Sequence, residues 1–423
     1  MKANTNNKVS TNKHFLAQML ILFSILVSID FYSYIYRPEL NYLRYILFII
    51  YLAIMISTRR VYKRDCLDKI VFWTVITIFL SIIPAMLDYN QGFFLTLKAC
   101  VSFGFSWFVY FALKDLKASS SGVIKIVTSV SVLWVIFEIG QQFTYPNIWF
   151  SGRYTISGQV EERMGILRFY IFGVDFVMMA FAYWLGNIES KNKSKIRTIV
   201  LVGTFLLGLL AYGSRKHIVV VLGAIAFFGL FSSVGDKRKK RLVMLFVALF
   251  FVIIYYNFYA DWVEMNEVAN SYQGEGDNFI RLMSAQHYLF EFSDSKLYPI
   301  FGAGIRVQGS LLDKKLQSSE NYFGDMFGFW QADVGLIGYY SMVGILGVSA
   351  ILFFIFYFVY NWKFIDTWYK YFLGMKIALI IFDFWGIWAP GMMAFALFMY
   401  LLDCNIRKNK QKALINGINV TVR

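Results

Sequence analysis

The sequence predicts an all-α polytopic membrane protein of about 12 transmembrane helices with a large outer loop carrying an amphipathic helix. Three observations predict it. Hydrophobic residues make up 58% of the 423 and charged residues only 16%, against about 45–50% and about 25% in a soluble domain. Only five prolines interrupt the chain, so long stretches are free to be helical. The apolar residues fall in runs that reach the length of a bilayer crossing, about 20 residues, and mean hydropathy is +0.55. This composition excludes a soluble enzyme, a fibrous chain and a disordered tail.

The first 14 residues are polar and basic, and the apolar run that starts at Phe15 lacks a small-residue cleavage signature. It reads as an uncleaved first helix. The expected spans are 15–35, 42–57, 70–87, 93–113, 122–143, 169–187, 197–212, 217–234, 242–260, 332–360, 371–388 and 391–403. The last two are short enough to be half-helices or a re-entrant pair. Segments 1–14, 58–69, 114–125, 188–198, 235–241, 361–376 and 404–423 carry 28 of the 41 Lys and Arg residues. They fall at alternate connections, so the positive-inside rule puts both termini in the cytoplasm. The net charge of +15 is explained the same way, and nucleic acid is not an expected partner. Cys66, Cys100 and Cys404 have neither metal-site nor disulfide spacing.

Two outer connections are long, 144–168 and 261–331. The second, with Asp333 at its end, holds eleven acids against five bases, and long loops are usually functional. Apolar residues at helical spacing over 278–289 predict an amphipathic helix there. The expected organisation is one transmembrane domain over 1–423, with no soluble domain appended.

No Walker phosphate loop, HExxH, GxSxG or Cys/His metal spacing occurs. Any chemistry must rest on charges at the membrane boundary, where charge is expensive to hold. The sharpest feature is the turn Tyr212-Gly213-Ser214-Arg215-Lys216-His217 between two apolar spans on the outer side. Either its cations snorkel to lipid headgroups or they bind a phosphate, whose oxygens match the guanidinium fork. In the large loop, Arg281 either pairs with Asp277 on a solvated face or binds an anion. Gly302 and Gly304 either make a turn or admit a ligand to the backbone. Ser318-Ser319-Glu320-Asn321-Tyr322 leads into a further span that begins Asp333-Val334-Gly335-Leu336-Ile337-Gly338, where capping is the alternative to a site. The first outer loop adds Arg163 and Arg168 at the membrane edge. Tyr145, Trp149, Phe150, Trp262, Tyr272, Tyr322, Phe327, Phe329 and Trp330 read as an aromatic belt or as platforms for sugar rings.

The order of these features resembles the O-antigen polymerase and ligase superfamily, the Wzy-type polymerases and their ligase relatives. The likeness covers about residues 150–350 and rests on Arg163-Met164-Gly165, on Ser214-Arg215, and on Arg281 ahead of Pro299-Ile300-Phe301-Gly302-Ala303-Gly304. It continues with Glu320-Asn321 ahead of Asp333-Val334-Gly335-Leu336-Ile337-Gly338. The ligase relatives usually have histidine where Glu320 stands, so the polymerases are the nearer likeness. The resemblance implies glycosyl transfer at the outer face of the bacterial cytoplasmic (inner) membrane. The partners it implies are undecaprenyl-diphosphate-linked glycans, membrane lipids and a chain-length regulator, with no metal and no cofactor. Arg215 and Arg281 would hold the departing diphosphate, and Glu320 would be the base if a nearby arginine keeps it ionised. Arg163, Arg168, Lys216, His217, Arg306 and Asn321 would bind substrate. His217 and His287 stand as fallback bases, while His14 lies on the cytoplasmic side. The alternatives are the ligase and a non-catalytic flippase or transporter, whose path would be lined by mid-span charges such as Glu138, Asp175 and Asp383.

Overall fold

The computed structural model describes residues 3–34, 38–58, 65–149, 161–163, 166–169, 171–188, 194–231, 279–322 and 328–416. In chain order the longer elements are α1 (Ala3–Ser28), α2 (Phe31–Tyr34), α3 (Leu43–Thr58), α4 (Cys66–Leu80), α5 (Ile82–Leu87), α6 (Phe93–Leu116) and α7 (Ser120–Thr144). A two-stranded hairpin, β1 (Glu161–Arg163) and β2 (Ile166–Arg168), precedes α8 (Val174–Gly186), α9 (Lys195–Ala211) and α10 (Arg215–Phe231). Then come α11 (Ile280–Gln286), α12 (Tyr298–Phe301), α13 (Leu311–Glu320), α14 (Gly335–Tyr360), α15 (Thr367–Leu379) and α16 (Ala389–Ile415).

Among the described residues six helical stretches are long and apolar enough to cross a membrane: Leu40–Ser57, Cys66–Leu87, Phe93–Leu116, Ser120–Thr144, Gln331–Tyr360 and Ala389–Ile415. Helices also stand at the expected spans 15–35, 169–187, 197–212 and 217–234, where α1 has 26 residues, α8 has 13, and α9 and α10 have 17 each. The expected span 242–260 lies outside the described residues. The expected span 371–388 is half a helix, because α15 stops at Leu379 and the Ile380 carbonyl accepts the Leu336 N–H at 2.8 Å. The last span is the reverse case: α16 runs 27 residues and continues far past position 403. The amphipathic stretch near 278–289 forms α11, which continues as a π-type turn over His287–Glu291.

The chain divides into two compact units, one of residues 1–127, 284–366 and 380–423, the other of 128–283 and 367–379. In the first, α6 packs against α3 and α16, and α4 packs against α14. Helix α14 is broken at Gly344, whose φ of 66° and ψ of −169° no helix allows. The break frees carbonyls that would otherwise be unpaired in an apolar setting, which costs several kcal/mol per group. The 299–304 segment satisfies them: Ala303 N–H donates to Ser341 O at 2.8 Å and Gly304 N–H to Met342 O at 3.0 Å. This contact explains the glycines. A Cβ on Gly302 would overlap the Met342 backbone, and one on Gly344 the Ile300 carbonyl. At Gly304 it would sit 2.6 Å from Ala85 Cβ. The backbone that Gly302 and Gly304 admit is therefore the protein's own, on the turn side of the two readings.

Several buried charges in both units are paired. In the first, Lys114 lies among Asp68, Asp403 (3.2 Å) and Asp65 (3.7 Å), and Arg407 pairs with Asp65 and with Asp403 at 2.8 Å. Asp65 and Asp68 lie at the start of α4, Lys114 in the last turn of α6, and Asp403 and Arg407 midway along α16, so two helix ends meet the middle of a third. In the second unit Lys376 is buried against Asp175. Asp175 lies in the first turn of α8 and Lys376 in the last turn of α15, so each charge also opposes the partial charge of its own helix end. Sequence placed Lys376 in a basic connecting segment and Asp175 in mid-span. The structure pairs the two across packed helices α8 and α15.

Candidate functional site

In the first unit the polar cluster is built on α13. Ser310 caps it, its Oγ accepting the Asp313 N–H at 3.0 Å, and Asp313 Oδ2 accepts the Gly309 N–H at 2.6 Å and Gln317 Nε2 at 3.1 Å. Arg306 pairs through Nε with Asp313 and through Nη1 with Glu320 Oε1 at 2.7 Å. The backbone on either side of Arg306 is clamped by one side chain: Gln91 Nε2 donates to Ile305 O at 3.2 Å, and Val307 N–H donates to Gln91 Oε1 at 3.2 Å. Gln91 precedes α6 and Lys114 lies near its far end, so the Arg306 cluster stands about 32 Å along the helix from the Lys114 cluster.

Burial and neighbouring charge together set the titration of this group. Burial pushes the Glu320 carboxyl above the usual range, and Arg306 pulls it partly back. Burial would also raise Asp313, but the Gly309 N–H and the Arg306 fork outweigh it and leave Asp313 below the usual range. His287 is held below its ordinary value by burial, with Glu291 opposing, so it is neutral at pH 7. Its Nε2 lies 2.9 Å from Ser319 Oγ, and its ring lies 4.9 Å from Phe329. Phe329 is covered in turn by the exposed Tyr322, stacked at 4.8 Å. Asn321 is exposed and ends α13, its N–H donating to Gln317 O at 2.9 Å.

In the second unit α7 presents Trp134, Glu138 and Gln142 at successive turns to the segment that follows the hairpin. Trp134 Nε1 donates to Ile171 O at 3.4 Å. Gln142 holds Leu167 twice, Nε2 to its carbonyl at 2.6 Å and Oε1 from its N–H at 3.0 Å. Glu138 lies between them, fully buried, with neither carboxylate oxygen hydrogen-bonded among the described residues. The opposing charge that acts on it is Arg168, whose guanidinium also lies over the Tyr212 ring at 5.6 Å. Tyr212 meets Trp134 at 5.7 Å and His217 at 5.6 Å, and His217 Nδ1 is 2.8 Å from Ser214 Oγ.

The structure therefore gathers Arg168, Ser214 and His217 around Tyr212, with Lys216 half-buried on the same turn. Arg215 is the first residue of α10 and Arg163 pairs with Ile166 in the hairpin; their side chains lie outside the described residues. Arg281 is half-buried on α11, in the same unit as Arg215. Glu320, Asn321 and Arg306 belong to the first unit. Arg306, expected to bind substrate, is engaged by two carboxylates.

Sequence reasoning missed Asp313, Gln91 and the Glu138–Arg168 relation. The spacing of Trp134, Glu138 and Gln142 by four was the available signal for the last. No family model matches the sequence, and no curated protein matches it. Fold and composition define the class: an all-α protein with helices able to span a membrane.

Proposed function

We propose that this chain polymerises undecaprenyl-diphosphate-linked oligosaccharide repeat units into a surface polysaccharide, O-antigen, capsule or exopolysaccharide, at the outer face of the bacterial cytoplasmic membrane. The observation that carries the reading is the cluster of Arg168, Ser214, His217 and Tyr212 at the turn that starts α10. Cations beside a helix N-terminus suit an anionic headgroup. In the reaction a sugar hydroxyl of one lipid-linked unit attacks the anomeric carbon of the glycan on another. A glycosidic bond forms, the bond to the diphosphate oxygen breaks, and the lipid diphosphate leaves with the electron pair. Arg215 and Arg281 would bind that diphosphate, contributing on the order of 3–6 kcal/mol together at about 1.5–3 each. Arg163, Arg168, Lys216, His217 and Asn321 would orient substrate. The hydroxyl proton goes to Glu320, and Arg306 serves that carboxylate by keeping it ionised, with a rate gain of typically about 10²–10⁴-fold from the base.

The expected result for Arg215→Ala and Arg281→Ala is a surface glycan of one repeat unit with the protein still in the membrane, read on a polysaccharide gel. A full ladder of chain lengths from either variant would overturn the assignment. Loss of the single repeat from the surface on deleting the gene would indicate the ligase or the flippase instead. The Asp175–Lys376 pair weighs against a transporter, since it removes a mid-span charge that would line a path.

The pH dependence has a definite sign. A base must be ionised, so activity in membrane vesicles should fall as pH drops through the raised Glu320 value. Arg306 lowers that value, so Arg306→Gln should move the acid limb to higher pH. An acid limb that stays where it is would show that Glu320 is not the base.

A further inference from the structure

Helices α4 and α14 flank an open apolar groove of about 820 Å³, within the range of about 300–1,000 Å³ that small-molecule sites take. Its walls are Trp73, Phe353, Phe356, Tyr357 and Tyr360, and Lys69 is its one cation. Both helices belong to the membrane-spanning set, and Phe353, Phe356 and Tyr360 are 53%, 69% and 67% exposed. We propose that this groove is a binding site for an anionic phospholipid, which holds its phosphate at Lys69 and one acyl chain along Trp73, Phe353 and Phe356.

The levels of the residues support this occupant. Lys69 lies in the first turn of α4 and Tyr357 and Tyr360 in the last turn of α14, so a cation and two phenols share the polar mouth. Trp73 is one turn deeper, about 6 Å along the axis. Its indole N–H is already satisfied by Ser349 Oγ at 2.9 Å, which leaves the ring as an apolar wall. Charge complementarity points to an anion. The acids around the α4 start, Asp65, Asp68 and Asp403, are engaged by Lys114 and Arg407, while Lys69 forms no ion pair with any described residue. A basic pocket between helices at a membrane edge is how such headgroups are held. The site is separate from the glycan reading and stands without it.

The test uses the full chain in phosphatidylcholine nanodiscs, doped with brominated phosphatidylglycerol or brominated phosphatidylcholine. The Trp73 signal is the difference in fluorescence between wild type and Trp73→Phe. Phosphatidylglycerol should quench it at about five-fold lower mole fraction than phosphatidylcholine, the factor one lysine near a membrane surface provides. Lys69→Gln should abolish that preference and leave phosphatidylcholine quenching unchanged. Equal quenching by both lipids in the wild type, or a preference that survives Lys69→Gln, would overturn the proposal. No quenching by either lipid, as when a second copy covers the groove, would overturn it too. If Trp73→Phe does not fold, native mass spectrometry of wild type and Lys69→Gln takes its place. The wild type should then retain more phosphatidylglycerol molecules than Lys69→Gln, and equal numbers on the two would overturn the proposal.

Discussion

Gly344→Ala should leave little folded protein to extract from the membrane, and what remains should melt far below the wild type. Two costs coincide at this position. A φ of 66° with ψ near 180° belongs to a region open essentially to glycine alone, at about 1–3 kcal/mol for other residues. The alanine methyl would also overlap the Ile300 carbonyl, which is backbone and cannot rotate away. Moving that segment would pull the Ala303 and Gly304 N–H groups off Ser341 and Met342, leaving buried carbonyls unpaired at about 1–3 kcal/mol each. The sum is on the order of 4 kcal/mol or more, a large share of a net stability of about 5–15. Gly374 is the control, since it lies inside α15 with nothing within 4 Å of a Cβ. Gly374→Ala should be neutral or stabilising by up to about 1 kcal/mol. Thermal melting of detergent-extracted protein on size exclusion separates the two, and a Gly344→Ala melting curve matching the wild type would refute this account of the break.

The contrast between those glycines shows what sequence could and could not disclose. Helices such as α6 and α7 were legible within three residues at either end, because hydropathy fixes a span by composition alone. The break in α14 was not. Its sequence is apolar throughout, and only the distant 299–304 segment makes Gly344, rather than Gly338 or Gly347, the place where the helix opens. Pairing over distance hid other features too. Asp175 and Lys376 are 201 residues apart and Gln91 and Val307 are 216 apart, so no local pattern links them. In the candidate site the turn 212–217 was readable because Ser214 and His217 are neighbours on one helix turn. The engagement of Arg306 by Asp313 and Glu320 was not, because α13 was not foreseen as a helix. Without it, positions 313 and 320 have no reason to share a face.

Lys114→Met should be the second variant with a large loss, on the order of 3–5 kcal/mol, the cost of removing one partner from a buried ion pair. Lys114 serves three carboxylates, and the side chains of Asp68 and Asp403 are only 5% and 4% exposed. Asp68 keeps a hydrogen bond from Tyr110 Oη at 2.7 Å, but no cation, once Lys114 is gone. Asp403 retains Arg407 at 2.8 Å, so the uncompensated charge falls mainly on Asp68. That asymmetry makes a double variant informative: Lys114→Met with Asp68→Asn should recover part of the loss, a coupling of about 1–3 kcal/mol, whereas Lys114→Met with Asp65→Asn should recover little. Lys408→Met, an exposed cation on the same basic segment as Arg407, should change stability by no more than about 0.5 kcal/mol. If Lys408 and Lys114 proved equally costly, the basic residues at this end would matter through total charge. If only Lys114 matters, cations that the sequence offers as a topology signal also fasten α4, α6 and α16 together, each by the carboxylate it faces.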